Sequence, residues 1–211
     1  MKKEEDTVRN MEVKAVLFDM DGVLVDSSDA WFYVYNDTLK NFGLKELIRK
    51  EFAKGFGSPI EQDIKNHFIG KTVKDVAESF DMYFKRRKGL VKIFPQSKKV
   101  LENLKKRKIK LALLSNSTKL IVLSILKHHK IHKYFDVIVA MEDVKRRKPA
   151  PDMIIKACKK LGVNPINTII VGDTQNDMIA GKRAGCVTVG YKTKGDYMIN
   201  RLKEIGKFIY V

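Results

Sequence analysis

The chain has 211 residues, 44% of them hydrophobic, which is enough to bury a sizeable core and excludes wholesale disorder. Lysine and arginine outnumber aspartate and glutamate by 42 to 25, and the resulting net charge of +17 favours anionic ligands such as phosphates. No apolar run reaches the length of a membrane span, and the charged leader over residues 1–12 does not read as a signal peptide.

Taken in order, residues 13–18 form an apolar run rich in β-formers, the signature of one buried strand. Residues 27–93 read differently. Trp31, Tyr35, Leu39 and Phe42 recur at helical spacing, and further helices are predicted over 44–52, 59–68 and 73–88, punctuated by Gly55, Gly57 and Gly70. From Phe94 an alternating pattern follows. Helices are predicted over 96–106, 120–128, 152–161 and 177–184, and strands over 109–114, 136–140, 168–171 and 187–190. The alternation implies βαβ units. The fold class is therefore α/β: a Rossmann-like, mostly parallel sheet flanked by helices, with a small all-helical cap inserted after the first strand. The predicted division is a core of 13–26 and 94–211 and a cap of 27–93.

Cys158 and Cys186 have no metal or redox spacing and read as small buried hydrophobes, which suits a reducing cytoplasm. His128, His129 and His132 have no Glu or Cys companion and read as residues near a helix end. The basic runs at 85–88, 105–108 and 145–148 lack interleaved aromatics, so they read as a solvated face and no nucleic acid is expected as a partner. Trp31, Phe32, Tyr33 and Tyr35 read mainly as the core of the cap, although the cluster lies where a ring-bearing ligand could stack.

Three predicted strands end in polar groups: Asp19 and Asp21, then Ser115 and Asn116, then Asp173. In a parallel sheet such groups meet along the carboxyl edge, where ligands bind. Carboxylates there suit Mg²⁺, while a hydroxyl, backbone N–H groups and Lys148 suit phosphoryl oxygens. Together they describe phosphoryl transfer, which asks mainly for positioning and charge neutralisation.

These residues carry a resemblance. Asp19-x-Asp21-Gly22-Val23-Leu24-Val25-Asp26-Ser27, Ser115-Asn116, Lys148-Pro149-Ala150-Pro151-Asp152 and Gly172-Asp173-x-x-x-Asp177 resemble, in order and spacing, the four motifs of the haloacid dehalogenase-like hydrolase superfamily. The helical segment is similar in length to the cap of its phosphoglycolate phosphatase and beta-phosphoglucomutase branch. The resemblance implies a Mg²⁺-dependent phosphatase acting on a small phosphorylated metabolite through an aspartyl-phosphate. In those roles Asp19 is the nucleophile, Asp21 the general acid and base, and Lys148 the neutralising cation. Ser115, Asn116 and Lys148 hold phosphoryl oxygens. Asp19, Asp21 (through its backbone carbonyl) and Asp173 hold the metal, with Asp177 orienting a metal-bound water or Lys148. Gly57-Ser58-Pro59 resembles the substrate-contacting loop of the cap. The acid at Asp21 favours phosphate esters over carbon–halogen bonds, because a halide leaves without a proton.

The runner-up is a sugar-phosphate mutase, although Trp31 stands where those enzymes carry a histidine. A basic nucleic-acid-binding protein is the more distant alternative. The chain is expected to be a monomer or homodimer in the cytoplasm. On sequence alone, Lys148→Ala is expected to lower the rate and leave thermal stability close to wild type.

Overall fold

The computed structural model describes residues 12–209; most of the charged leader lies outside them. Strand β1 (Ala15–Asp19) is buried along its whole length and occupies an interior position of a six-stranded sheet. Around it lie β4 (Lys110–Leu114), β5 (Val137–Val139), β6 (Thr168–Gly172), β7 (Val187–Tyr191) and β8 (Tyr197–Ile199), in the order β5-β4-β1-β6-β7-β8. Every pairing within this sheet is parallel.

The near-continuous apolar runs follow from burial on both faces. On one face Val16, Phe18, Leu111, Leu113, Ile169 and Val171 join the larger core, with α5 (Ser97–Lys106) and α6 (Lys119–His128). On the other, Ala15, Leu17, Ala112, Leu114 and Ile170 pack with α7 (Asp152–Leu161) and α8 (Gln175–Ala184). The alternation along each strand sorts the two cores, so a one-residue slip would exchange them. Cys158 and Cys186 both sit in the second core, and the fold brings their thiols within hydrogen-bond reach although their sequence spacing gives no sign of it.

Between β1 and β4 the chain leaves the sheet through a two-stranded antiparallel ribbon, β2 (Val25–Asp26) with β3 (Lys92–Ile93), pairing Val25 with Ile93 and Asp26 with Lys92. Beyond the ribbon stand four helices: α1 (Ser28–Asn41), α2 (Arg49–Gly55), α3 (Ile60–Asn66) and α4 (Val73–Arg87). Helix α4 begins where Thr72 and Asp75 cap each other, the Asp75 N–H donating to the Thr72 hydroxyl at 3.2 Å and the Thr72 N–H to Asp75 at 2.9 Å. Helices α1 and α4 pack through aromatics, with the Trp31 ring 5.4 Å from both Phe80 and Phe84. Phe32 and Tyr33 turn away and stack under the Arg49 guanidinium.

The helix predicted over 44–52 starts only at Arg49. Asn36 grips the Leu47 backbone from both sides, donating to its carbonyl at 2.9 Å and accepting from its N–H at 2.8 Å, so these groups are unavailable to a helix. Strands β2, β3 and β8 lie outside the sequence expectation because two or three residues are too few to show a period. His128 ends α6 and His129 caps it. Among the described residues no helix is long and apolar enough to cross a membrane.

Candidate active site

The register places the polar strand ends side by side. Asp19, the last residue of β1, is level with Leu114 at the end of β4, and Phe18 is level with Val171 of β6, so Ser115 and Asp173 emerge on either side of it. This edge lies where the strand order reverses, with β4 and β5 on one side of β1 and β6 to β8 on the other, the crevice that open parallel sheets use for ligands.

Lys148 arrives from the loop between β5 and α7 and is only 3% exposed. Its ammonium donates to Asp19 at 2.5 Å, to Asp177 at 2.6 Å and to the Leu114 carbonyl at 3.1 Å. Burial alone would drive this lysine down, but Asp177 and Asp19 outweigh it and hold it above the usual lysine range. Asn116 fixes the backbone from which Lys148 springs: its amide donates to the Lys148 carbonyl and its carbonyl accepts from the Lys148 N–H, both at 3.1 Å.

Asp177 divides its carboxylate. One oxygen faces Lys148, while the other accepts from the Thr174 hydroxyl at 2.6 Å and from the Thr174 N–H at 3.2 Å. It is therefore both a first-turn cap of α8 and a partner of Lys148.

Asp21 accepts from the Ser27 hydroxyl. Burial pushes its carboxyl up, opposed by the Ser27 hydroxyl, the Trp31 indole and Lys148. Burial likewise raises Asp19 well above the carboxylate range, against the pull of Lys148 and helped by Asp177, Asp173 and Asp21. Asp173 is pushed up to about 7, mainly by burial and then by Asp177. Four carboxyl groups thus surround a single ammonium, and the site is short of positive charge.

One atom marks where a cation would sit. Asp173 Oδ1 is buried and has no hydrogen-bond partner. Carboxylate oxygens of Asp19, Asp173 and Asp177 lie within 4.8 Å of one another, the one such acidic group among the described residues. Since Asp177 is already engaged on both oxygens, Asp19 and Asp173 are left to face an ion. An all-oxygen donor set fits a hard divalent cation such as Mg²⁺. Gly22 keeps this space open: its φ is +76°, and a Cβ there would stand 2.0 Å from Asp173 Oδ2.

Above these groups lies a cavity of about 320 Å³, closed on its far side by the helical segment. Ser115 and Asn116 line it, as do Gly57 and Ser58 of the loop before α3. Trp31 and Tyr35 belong to the core of the helical segment and also border the cavity, whereas Phe32 and Tyr33 do neither. Ties between the two parts run from Thr118 to Asp81, from Arg147 to Glu61, and from the Asn176 amide to the Gly57 carbonyl at 3.4 Å. The basic runs are split among unrelated jobs: Arg87 pairs with Asp37, Lys105 with Asp136, and Lys148 serves the cavity.

The four motifs do not include Asp63, His67, Thr118 or Asn176, all of which line the cavity. Asp63 and His67 stand four residues apart on one face of the segment around α3, and that spacing is the signal in the sequence that marks them as a pair.

The haloacid dehalogenase-like hydrolase family model matches residues 16–191, which span all four motifs. A phosphoglycolate phosphatase of Aquifex aeolicus is 32% identical over 83% of this chain and 83% of its own length. The pyrophosphatase PpaX of Bacillus velezensis is 29% identical, covering 92% of this chain and 94% of its own. In fold, the crystal structure of CbbY from Rhodobacter sphaeroides in complex with phosphate superposes with a TM-score of 0.80 at 22% identity, over 92% of this chain and 96% of that one. Sequence, fold and the arrangement of the strand-end residues agree: the chain belongs to the haloacid dehalogenase-like hydrolase family.

Proposed function

We propose that the chain is a Mg²⁺-dependent phosphatase that hydrolyses a small phosphorylated metabolite through an aspartyl-phosphate on Asp19. The observation that carries this reading is the buried Lys148 bridging Asp19 and Asp177, beside the unpartnered Asp173 oxygen, at the floor of a cavity. In this reading residues 13–26 and 94–211 are the catalytic core and 27–93 the cap.

Asp19, the Asp21 backbone carbonyl and Asp173 would hold Mg²⁺, which when bound supplies positive charge to the phosphoryl oxygens. An Asp19 carboxylate oxygen attacks phosphorus while the bond to the leaving oxygen breaks. Asp21, whose burial favours the protonated form, gives its proton to that oxygen and the alcohol departs. Water then attacks the phosphorus of the aspartyl-phosphate, passing a proton to Asp21, and phosphate leaves with Asp19 restored. Lys148 neutralises Asp19 and the developing charge, Ser115 and the Asn116 backbone hold phosphoryl oxygens, and Asp177 keeps the Lys148 ammonium in place. Closure of the cap over the core would exclude bulk water from the aspartyl-phosphate.

Phosphate release from a panel of phosphorylated metabolites, with Mg²⁺ and with EDTA, tests the reading. Release that needs the metal supports it. Isomer interconversion without free phosphate would replace it with the mutase, and salt-sensitive duplex binding without hydrolysis would replace it with the nucleic-acid-binding protein.

A further inference from the structure

The part of the cavity lining that the helical segment contributes includes Trp31, which reaches toward Asp21, together with Tyr35, Phe52, Asp63, His67 and Phe80. It carries no lysine or arginine. Among the described residues the only one lining the cavity is Lys148, which is committed to Asp19 and Asp177.

Within that wall Asp63 is the acidic group. The Tyr35 hydroxyl is the group that favours its charged form, and no lysine or arginine pairs with it among the described residues. A half-buried carboxyl in such surroundings needs further donors or a positive charge to offset its lost hydration. Burial accordingly pushes Asp63 up to about 7, with the Tyr35 hydrogen bond opposing it. The neighbouring surface is aromatic, so whatever meets Asp63 also meets ring faces.

Resting on the phosphatase reading, we infer that the leaving group is an uncharged or cationic alcohol that offers Asp63 an O–H or N–H donor and lays its carbon skeleton against Trp31, Phe52 and Phe80. Hydrolysis then breaks the ester P–O bond, the alcohol takes its proton from Asp21, and water supplies the new oxygen of the phosphate. Where Asp63 is ionised, above about pH 7, a leaving group that is itself an anion, whether a carboxylate or a second phosphate, would approach it with like charge and find no lysine or arginine on that wall. Like charges at close range disfavour each other by about one pKa unit or more, roughly tenfold in binding. The substrates named for the Aquifex and Bacillus relatives are of that anionic kind, so the inference separates this chain from them.

The test, run at about pH 8 so that Asp63 is ionised, is kcat/KM of the Mg²⁺-loaded full chain on phosphoglycolate and pyrophosphate, against glycerol phosphate, a ribose phosphate and phosphoethanolamine. The inference predicts that the best of the latter three exceeds both anionic-leaving-group substrates by at least about tenfold. Asp63→Asn, which keeps an acceptor for Tyr35, should shrink that ratio mainly through KM, and Asp63→Lys should turn it toward phosphoglycolate. Phosphoglycolate or pyrophosphate leading the wild-type ranking would overturn the inference while leaving the phosphatase standing, and so would a ratio unmoved in Asp63→Asn. Absence of hydrolysis from every compound would instead remove the phosphatase reading, and this inference with it. The wild-type ranking decides the matter even where a variant does not fold.

Discussion

The Lys148 ammonium lies 2.5 Å from the Asp19 carboxylate, and the two meet across 129 positions of sequence in a site almost closed to solvent. Neither charge would be tolerated there alone. With Asp177 as the second partner, the lysine keeps its proton and partly offsets the carboxylates around it.

This pairing makes Lys148 a structural residue as well as a functional one. Lys148→Ala leaves Asp19 and Asp177 without their cation, and breaking a buried pair costs about 3 kcal/mol near neutral pH. For a chain of this size that corresponds to a midpoint roughly 6–12 °C lower. The expectation of unchanged stability is thus revised, because the sequence shows the basic run but not the burial of its last member. Thermal unfolding of Lys148→Ala beside wild type checks it, and turnover is expected to fall by about a hundredfold or more.

Asn116→Ala removes both hydrogen bonds that fix the Lys148 backbone. The expected loss is about 1–3 kcal/mol of stability, with a drop of about tenfold in kcat from a lysine less well placed. Kinetics and thermal unfolding of the same preparation would show the two effects together. A rate equal to wild type would mean that the clamp does not position Lys148.

Metal and pH should act through the same carboxyls. Asp173 and Asp63 are both pushed up to about 7 by burial, from an ordinary value of 3.8. Between those limits the folded chain holds protons that the unfolded chain has released, so stability falls as pH rises through the window. The metal-free protein is therefore expected to melt lower at about pH 8 than at about pH 5. Mg²⁺ should raise the midpoint, and more at the higher pH, since the ion takes the place of the proton on Asp173. Thermal scans at both pH values with EDTA and with Mg²⁺ check this. An Mg²⁺ effect independent of pH would contradict the assignment of Asp173.

Much of the core is legible in the order of residues along the chain. Apolar runs over β1, β4 and β6 end in Asp19, Ser115 and Asp173, and a parallel sheet gathers strand ends by its geometry alone. The helical segment shows its periodicity, yet α2 begins late because Asn36, 11 residues before Leu47, holds that stretch of backbone. The cavity lining from the helical segment is harder to foresee. Asp63, His67 and Tyr35 come to the cavity only through the packing of α1 and α3 over the sheet edge, a tertiary relation that local spacing does not convey. For the same reason the grip of Asn116 on Lys148, across 32 positions, leaves no mark in either motif.

The central claim is that Asp19 carries the phosphoryl group. The most direct measurement is acid quenching of the Mg²⁺-loaded enzyme during turnover of its best substrate, followed by peptide mapping of the phosphorylated residue. A hydroxylamine-sensitive phosphoryl group on Asp19, absent from Asp19→Asn together with all phosphate release, is the predicted result. Phosphate release at the wild-type rate by Asp19→Asn would contradict the account, as would a phosphoryl group trapped on any other residue.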